Sequence, residues 1–202
     1  MRIDAISRKL EQYAGQSAHA SHGAAVLIPL IERGDGLEIV LEVRAPTLLV
    51  QPNEVCLPGG GIEEGEQPAE AAIRETAEEL CVDPAQIQII GSMGPEEGPR
   101  SRPLHVFVGM LDGYDGRYSA DEVDRTFTLS LDWLVNHEPR MYEIALEPRF
   151  PDDFPFDRIP GGRAYPWHKR THRVPFYLDT DPLVWGVTAR VLARFSRILR
   201  EP

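Results

Sequence analysis

Residues 60–82 read GGIEEGEQPAEAAIRETAEELCV, and the interpretation of the whole chain depends on this stretch. Pro68 suits the first turn of a helix. At about 100° per residue, an arc of about 140° then collects small and apolar side chains and predicts a buried face: those of Ala69, Ala72, Ile73, Thr76, Ala77 and Leu80. Glu75, Glu78 and Glu79 fall on the opposite side. The stretch therefore predicts an amphipathic helix with an acidic outer face.

The three glutamates are neighbours on this helix, and neighbouring like charges destabilise a helix by about 0.2–0.5 kcal/mol per pair. One interpretation is an acidic face exposed to solvent. The sequence LPGGGIEEGE at residues 57–66 favours another, because its glycines break regular structure and allow backbone carbonyls to lie beside the same face. Carboxylate and carbonyl oxygens are the ligands that Mg²⁺ and Mn²⁺ prefer. A bound divalent cation would explain why the glutamates are tolerated.

Residues 60–82 resemble the Nudix box, G-x5-E-x7-R-E-U-x-E-E-x-G-U, in which U is a bulky aliphatic residue. The positions that match in register are Gly60, Glu66, Arg74, Glu75, Glu78, Glu79 and Val82. Thr76 replaces the first aliphatic residue, and Cys81 replaces the glycine that normally ends the helix. If position 81 requires a positive φ, a cysteine there costs on the order of 1 kcal/mol.

The resemblance implies a Nudix α/β/α sandwich with a mixed β-sheet, and a hydrolase that cleaves a nucleoside diphosphate linked to another moiety. It implies a site for Mg²⁺ or Mn²⁺ with these ligands: the side chains of Glu75, Glu78 and Glu79 and the carbonyl of Gly59. Because a metal-bound water is a competent nucleophile near neutral pH, the same motif would carry catalysis, and we expect Glu78 and Glu79 to take part. Glu66 and Arg74 are interpreted as an ion pair that orients the ligands.

A second stretch bears on the substrate. Residues 40–60, VLEVRAPTLLVQPNEVCLPGG, resemble the pattern L-L-T-x-R-S-x-x-L-R-x-H-x-G-x-V-x-F-P-G-G of the coenzyme A pyrophosphatase branch. The matches are Leu41, Arg44, Leu48, Val55, Pro58, Gly59 and Gly60. The departures are Leu49 at the arginine position, Gln51 at the histidine and Asn53 at the glycine. The C-terminal LVWGVTARVL at residues 183–192 is similar to the same branch.

This resemblance implies that the substrate is coenzyme A or one of its thioesters, cleaved to 4′-phosphopantetheine and adenosine 3′,5′-bisphosphate. One alternative is a hydrolase of ADP-ribose or of another nucleoside-diphosphate-linked compound. Another is a catalytically silent, nucleotide-sensing Nudix module. The intact set of glutamates argues against a silent module, because a sensor has no reason to keep a destabilising acidic cluster.

Because the chain is acidic overall, an anionic substrate would need metal ions or a local cluster of Arg and Lys. The basic and aromatic segment RAYPWHKRTHRVPFY at residues 163–177 offers candidates for a peripheral phosphate, namely Arg163, Lys169 and Arg170. Tyr165 or Trp167 would stack on adenine. The alternative is a strand hairpin whose cations pair with the acidic surface. Arg44, beside the glycine run, is a further candidate phosphate contact, with a surface strand arginine as the alternative.

A general base outside the motif usually takes the proton of the attacking water. Glu122 is the first candidate, because in the Nudix fold a late loop often returns a glutamate to the metals. Glu96 and Glu97, in a predicted glycine-rich loop, are alternatives, and each of the three also fits a plain surface carboxylate. Trp185 is interpreted as a packing residue, with a wall of the substrate cleft as the alternative.

The composition sets the class of protein. The 202 residues are 42% hydrophobic and 26% charged, which is typical of one globular domain. We expect a helix and connector over residues 1–22 and the Nudix domain over residues 23–202. A net charge of −11 argues against a nucleic-acid surface. The chain contains no apolar run of about 18 residues and no apolar signal-peptide core, so we expect a cytoplasmic protein that does not enter a membrane.

The expected partner is therefore a nucleotide-type small molecule, and a homodimer could form by exchange of residues 1–16. Alternating and apolar runs predict strands at residues 24–30, 37–43, 87–91 and 104–111, and a strand and turn at residues 126–135. Residues 1–16 and 182–199 have the pattern of helices, and residues 92–103 that of a loop. Strands joined by hairpin-length connections and interspersed with helices predict an α/β layered domain with a mixed sheet. Cys56 and Cys81 are expected to be reduced thiols.

Overall fold

The predicted hairpin stands at the centre of the fold. A computed structural model describes residues 2–13, 23–98, 102–167 and 170–201. Strand β1 (Ala24–Arg33) and strand β2 (Gly36–Arg44) pair antiparallel, with Leu30 opposite Ile39. Gly34 takes the left-handed conformation that the tight turn requires, at φ +59°. Each of the two strands contains five consecutive buried residues, because helices cover both faces of the sheet here.

Five more strands complete the main sheet within the described residues: β3 (Val55–Cys56), β4 (Gly59–Gly61), β5 (Ile87–Glu97), β6 (Pro103–Leu111) and β7 (Val123–Ser130). Their order is β3-β2-β1-β6-β5, with β4 paired to β1 and β7 paired to β2. β1 and β6 run parallel, whereas the other pairings are antiparallel. The sheet is therefore mixed, as predicted.

A smaller sheet, in the order β10-β9-β8, is built from β8 (Arg140–Leu146), β9 (Arg170–Tyr177) and β10 (Val184–Trp185). The helices are α1 (Ile3–Leu10), α2 (Pro68–Glu79), α3 (Leu131–Asn136) and α4 (Gly186–Arg200), with short 3₁₀ turns at Glu11–Tyr13, Pro84–Gln86, Phe156–Arg158 and Gly162–Ala164. None of the helices in the described ranges has the length and apolar character needed to span a membrane.

The main sheet lies between two helical layers, and each layer has its own apolar core. Beneath α2, Ala72 and Leu80 pack with Leu27 of β1 and with other buried residues. On the opposite face, Phe195 of α4 packs in a larger cluster that also holds Ile28 of β1. Burial of such apolar surface is the main favourable contribution to folding. The α/β/α sandwich with a mixed sheet is therefore confirmed.

The N-terminal helix belongs to the larger core. Ile6 and Leu10 are buried there. Leu10 packs closely against Gly91 of β5, since a Cβ atom added to Gly91 would lie 2.6 Å from the Leu10 side chain. The predicted helix over residues 1–16 is shorter than expected, because α1 ends at Leu10 and a 3₁₀ turn follows. The predicted connector lies mostly outside the described residues. The homodimer by exchange of this segment stays a prediction.

Three sequence predictions about elements were wrong. Residues 92–97 are strand and not loop, because β-bulges next to Gly91 and Gly94 absorb the irregular residues while β5 stays paired to β6. The strand predicted at the start of residues 126–135 is present in β7, but the predicted turn is helix α3. The first turn of α3 is capped by the Ser130 hydroxyl, which accepts from the Trp133 N–H at 3.3 Å. The C-terminal helix starts at Gly186 and not at 182, because Val184 pairs with β9 first.

The end of α2 keeps the backbone conformation that the glycine of the motif would adopt at position 81. Cys81 has φ +50°, in the left-handed region that glycine normally fills. The backbone closes the helix there, since the Val82 N–H donates to the Ala77 carbonyl at 3.1 Å. The helix end of the motif is therefore kept with a cysteine in a conformation that is unfavourable for its side chain.

Cys81→Gly is expected to raise the free energy of unfolding by about 1 kcal/mol, because glycine adopts positive φ without the steric penalty of a Cβ atom. Urea denaturation at fixed pH measures the change. Cys81→Ala is the matched control, since it removes the thiol and keeps the Cβ atom. Equal stability of the two variants would contradict the assignment of strain to this residue.

Candidate active site

Arg74 ties the glycine loop to helix α2. Its Nε and Nη2 donate to the two carboxylate oxygens of Glu66 at 2.9 and 3.0 Å, and Nη2 also donates to the Gly61 carbonyl at 3.1 Å. Paired parallel hydrogen bonds of this kind fix geometry as well as adding energy. Arg74 holds the pKa of Glu66 below its usual range. The expected ion pair is thus present and connects the loop to the helix.

The same guanidinium reaches the glutamates of the motif. Arg74 Nη1 donates to Glu75 Oε1 at 2.8 Å and lies 3.7 Å from Glu78 Oε2. Glu75 is partly buried, and burial raises its pKa while Arg74 opposes the rise. Gly60 is needed beside it, because a Cβ atom at position 60 would lie 2.4 Å from the Glu75 carboxyl carbon. The glycine therefore makes room for the carboxylate.

Glu79 lies on the inner side of α2, which corrects its predicted place on the outer face. Its side chain is 2% exposed, and Oε2 accepts a hydrogen bond from the Gly59 N–H at 2.7 Å. At this point α2 faces β4, whose three residues are all glycine. Because glycine has no side chain, β4 leaves space for the side chain of Glu79. Burial raises the pKa of Glu79 to about 9, and the nearby carboxylate of Glu42 adds to the rise.

Glu42 is a buried carboxylate that the sequence analysis missed. It lies in β2, is fully buried, and accepts a hydrogen bond from Cys56 Sγ at 3.1 Å. Burial raises its pKa to about 7. A signal was available in the run LEIVLEV, because side chains alternate between faces and Glu42 shares a face with the apolar Val40. A charged residue at such a position demands an explanation.

The loop before β7 brings Glu122 to the acidic residues. The Ser119 N–H donates to the Glu79 carbonyl and the Ala45 N–H donates to the Glu122 carbonyl, both at 2.8 Å. Glu122 itself is exposed, and its charge raises the pKa values of Glu42, Glu75 and Glu79. The structure therefore brings this candidate base into electrostatic contact with the motif.

The alternative bases lie elsewhere. Glu96 is in β5 and pairs with Arg194 of α4 at 2.7 Å. The carbonyl of Glu97 accepts a hydrogen bond from Arg190 of the same helix. Both residues thus belong to the contact between β5 and α4, whereas only Glu122 among the three candidates contributes to the pKa values of the motif glutamates.

The donor set fits a hard divalent cation in its chemistry. Carboxylates dominate, two of them are buried, and one oxygen of Glu42 has no hydrogen-bond partner among the described residues. In the part of the chain that is described, however, no three acidic, histidine or cysteine side chains meet at one point. Glu75 and Glu78 are instead paired with Arg74. A cation would compete with this guanidinium for both side chains.

A cavity of about 500 Å³ adjoins these residues on the α4 side of the sheet. Its walls are mostly apolar, and its cations include Arg44, Arg173 and Arg190. Two of its lining residues also contact the buried carboxylates, because Cys56 donates to Glu42 and the Gly59 N–H donates to Glu79. One wall of the cavity is thus shared with the acidic site.

The candidate substrate contacts separate into two groups. Arg44 lines the cavity, as does Arg190, which was missed because nothing in its helical sequence distinguishes it. Arg163 instead lies over the Phe156 ring at 4.5 Å, and Arg170 is exposed at the start of β9; neither lines the cavity. Lys169 lies outside the described residues.

The two aromatic residues predicted to stack on adenine do not line the cavity. The rings of Tyr165 and Trp167 contact each other in a tilted arrangement, with 4.8 Å between their centroids. They belong to a cluster with Phe150 and Phe154. Trp185 is 38% exposed and lines the cavity. The interpretation of Trp185 as a cleft wall therefore fits better than that of a core residue.

Comparison with known proteins identifies the family of the chain. The model of the NUDIX domain family matches residues 21–148. The peroxisomal coenzyme A diphosphatase NUDT7 of Mus musculus is 31% identical over 137 residues, 67% of this chain and 57% of that protein. The chloroplastic Nudix hydrolase 22 of Arabidopsis thaliana is 28% identical over 187 residues, 88% of this chain and 55% of that protein. The uncharacterized Nudix hydrolase NudL of Escherichia coli (strain K12) is 31% identical over 175 residues, 86% of this chain and 80% of that protein.

These matches define the class of protein: the chain belongs to the Nudix family. The resemblance carried by residues 60–82 is confirmed. The chain spans between half and three fifths of the length of the mouse and Arabidopsis relatives.

Gly60→Ala is expected to weaken Mn²⁺ binding about tenfold or more, since the added methyl group displaces the Glu75 carboxylate. The fold should persist, because the clash is with the end of a flexible side chain. Gly61→Ala is the matched control, since a Cβ atom there meets nothing within 4 Å. Calorimetric titration with Mn²⁺ measures both affinities, and equal affinities would show that Glu75 takes no part in binding.

The stability of the chelator-treated protein is expected to fall as pH rises from about 5 to about 9. The pKa of Glu79 is raised in the folded state, so the folded protein binds more protons than the unfolded chain in this window and loses that advantage as pH increases. Thermal melting across the window measures the slope, and Glu79→Gln should make it shallower. A melting temperature that climbs over the same range would contradict the raised pKa.

Proposed function

We propose that the chain is a divalent-metal-dependent pyrophosphohydrolase that cleaves the diphosphate of coenzyme A or of its thioesters to 4′-phosphopantetheine and adenosine 3′,5′-bisphosphate. The observation that carries the proposal is the wall that the cavity shares with the buried carboxylates through Cys56 and Gly59. A substrate in the cavity would contact the two residues that donate hydrogen bonds to these carboxylates. The name of the mouse relative, a coenzyme A diphosphatase, supports this choice of substrate.

The lining of the cavity suits the two chemical halves of such a substrate. Apolar residues such as Leu57, Leu104 and Val191 would accommodate a pantetheine arm or an acyl chain. Arginine side chains bind phosphate groups well because their planar forks donate paired hydrogen bonds. Among the described residues, the Arg44 side chain makes one long hydrogen bond, to the Val50 carbonyl at 3.4 Å, which leaves guanidinium donors for a phosphate.

Each element of the site has a proposed role. The side chains of Glu75, Glu78 and Glu79 and the carbonyl of Gly59 would hold Mg²⁺ or Mn²⁺. When bound, such an ion neutralises diphosphate charge and lowers the pKa of water. Arg74 fixes the loop that presents these ligands, through Glu66. Glu122 takes the proton of the attacking water, since it is exposed to solvent and lies within electrostatic reach of the motif.

The test is hydrolysis of coenzyme A, 3′-dephospho-coenzyme A, ADP-ribose and NADH with Mg²⁺ or Mn²⁺. We expect kcat/KM for coenzyme A to exceed that for the dephospho form by about tenfold or more, because charge-assisted hydrogen bonds to the 3′-phosphate would be lost. Glu79→Gln should lower kcat by about 100-fold or more. Arg44→Gln should raise KM, with the exposed Arg33→Gln as its control.

The outcomes separate the alternatives. A preference for ADP-ribose would contradict the coenzyme A assignment and keep the metal site. Metal binding without turnover of any compound would favour a nucleotide-sensing module. Equal kcat/KM values for coenzyme A and its dephospho form would show that the protein does not recognise the 3′-phosphate.

A further inference from the structure

Glu42 points into the same interior region as Glu79 although it lies outside the motif of residues 60–82. Side chains alternate between the two faces of a strand. Val40 packs in the core beneath α2, whereas Leu41 and Val43 pack in the core beneath α4. Glu42 therefore faces α2, the helix that carries Glu79.

The surroundings of Glu42 leave part of its carboxylate unused. Oε1 accepts a hydrogen bond from the Cys56 thiol, but Oε2 is buried and has no hydrogen-bond partner within the described ranges. Among the ion pairs of the described residues, none includes Glu42 or Glu79. The nearest basic side chain in the strand, Arg44, hydrogen bonds to a backbone carbonyl. Within the described ranges neither carboxylate therefore forms an ion pair, and Arg44 acts on Glu42 only by lowering its pKa, against the larger effect of burial.

Such an arrangement needs either a bound proton or a compensating positive charge. A buried carboxylate is strongly unfavourable unless it is paired or fully hydrogen bonded. Two carboxylates that share one interior region are more unfavourable still, because they repel each other. A hard divalent cation between them would satisfy both, since carboxylate oxygens are its preferred ligands.

We propose that Glu42 is an additional oxygen ligand of the divalent cation that Glu79 holds, contributed by strand β2. The proposal rests on the metal site of the proposed function and adds a ligand that the motif does not contain. Cys56 acts as the positioning residue, because its thiol holds Oε1 and leaves Oε2 for the cation. The site would then take ligands from both sides of the interior, one from the sheet and the others from α2 and the glycine loop.

The test is a calorimetric titration with Mn²⁺ of the wild-type protein and of Glu42→Gln, which keeps the shape of the side chain and removes its charge. We expect Mn²⁺ to bind Glu42→Gln about tenfold or more weakly than the wild type. In the presence of chelator, the same variant should melt at a higher temperature than the wild type, since one buried charge is gone. Glu38→Gln is the matched control, because it lies on the same strand and the same face but pairs with Arg33.

Each outcome decides the proposal. An affinity of Glu42→Gln within about twofold of the wild-type value would overturn it, and would indicate that Glu42 merely shares a proton with Glu79. Absence of Mn²⁺ binding by the wild type would overturn the metal dependence together with this ligand. Normal binding and turnover in both proteins would overturn only the role of Glu42. If Glu42→Gln does not fold, Glu42→Thr is titrated in its place, and the same limits apply.

Discussion

Two carboxylates, those of Glu42 and Glu79, are enclosed between strand β2 and helix α2 with a thiol and one backbone N–H as their hydrogen-bond donors. Few arrangements are more unfavourable in a protein interior than paired acidic groups without a counter-charge. The fold keeps them in place because apolar packing on both sides of the sheet fixes β2 and α2 independently of this contact. The energy of that packing holds the acidic groups together.

The glycine run is the structural consequence of this constraint. Gly59 supplies the N–H that Glu79 accepts, at φ +146°, where a Cβ atom would lie 2.3 Å from the Ala25 carbonyl oxygen. Gly60 leaves the space that Glu75 occupies. Arg74 then fixes the connection between this run and α2 through Glu66. The glycine backbone, the positions of the glutamates and the ion pair of Arg74 therefore depend on one another.

Much of the fold was predictable from local patterns. The hairpin of β1 and β2, the parallel strand β6 and the motif helix follow from apolar periodicity and turn residues, and the structure contains them. The bulged half of β5 was not predictable in this way, because glycine and proline signal a loop unless tertiary pairing overrides them. β8 was also missed, since its residues are exposed and show no pattern of burial.

The site was predictable where chemistry and spacing coincide, and less so elsewhere. The motif identified Glu66, Arg74 and the three glutamates, but a helical wheel placed Glu79 outside because it contains no information about the glycine strand facing the helix. Glu42 and Arg190 reach the site only through tertiary packing. The composition of residues 163–177 predicted contacts to a phosphate, but Arg163 packs on the Phe156 ring.

The most direct measurement is anomalous diffraction from crystals grown with Mn²⁺, which locates the ion without reference to turnover. We expect an anomalous peak bounded by the carboxylates of Glu79 and Glu75 and by the Gly59 backbone, with Glu42 facing it from β2. A peak elsewhere on the protein, or none beside Glu79 at a saturating Mn²⁺ concentration, would contradict the claim that these buried carboxylates exist to hold a divalent cation.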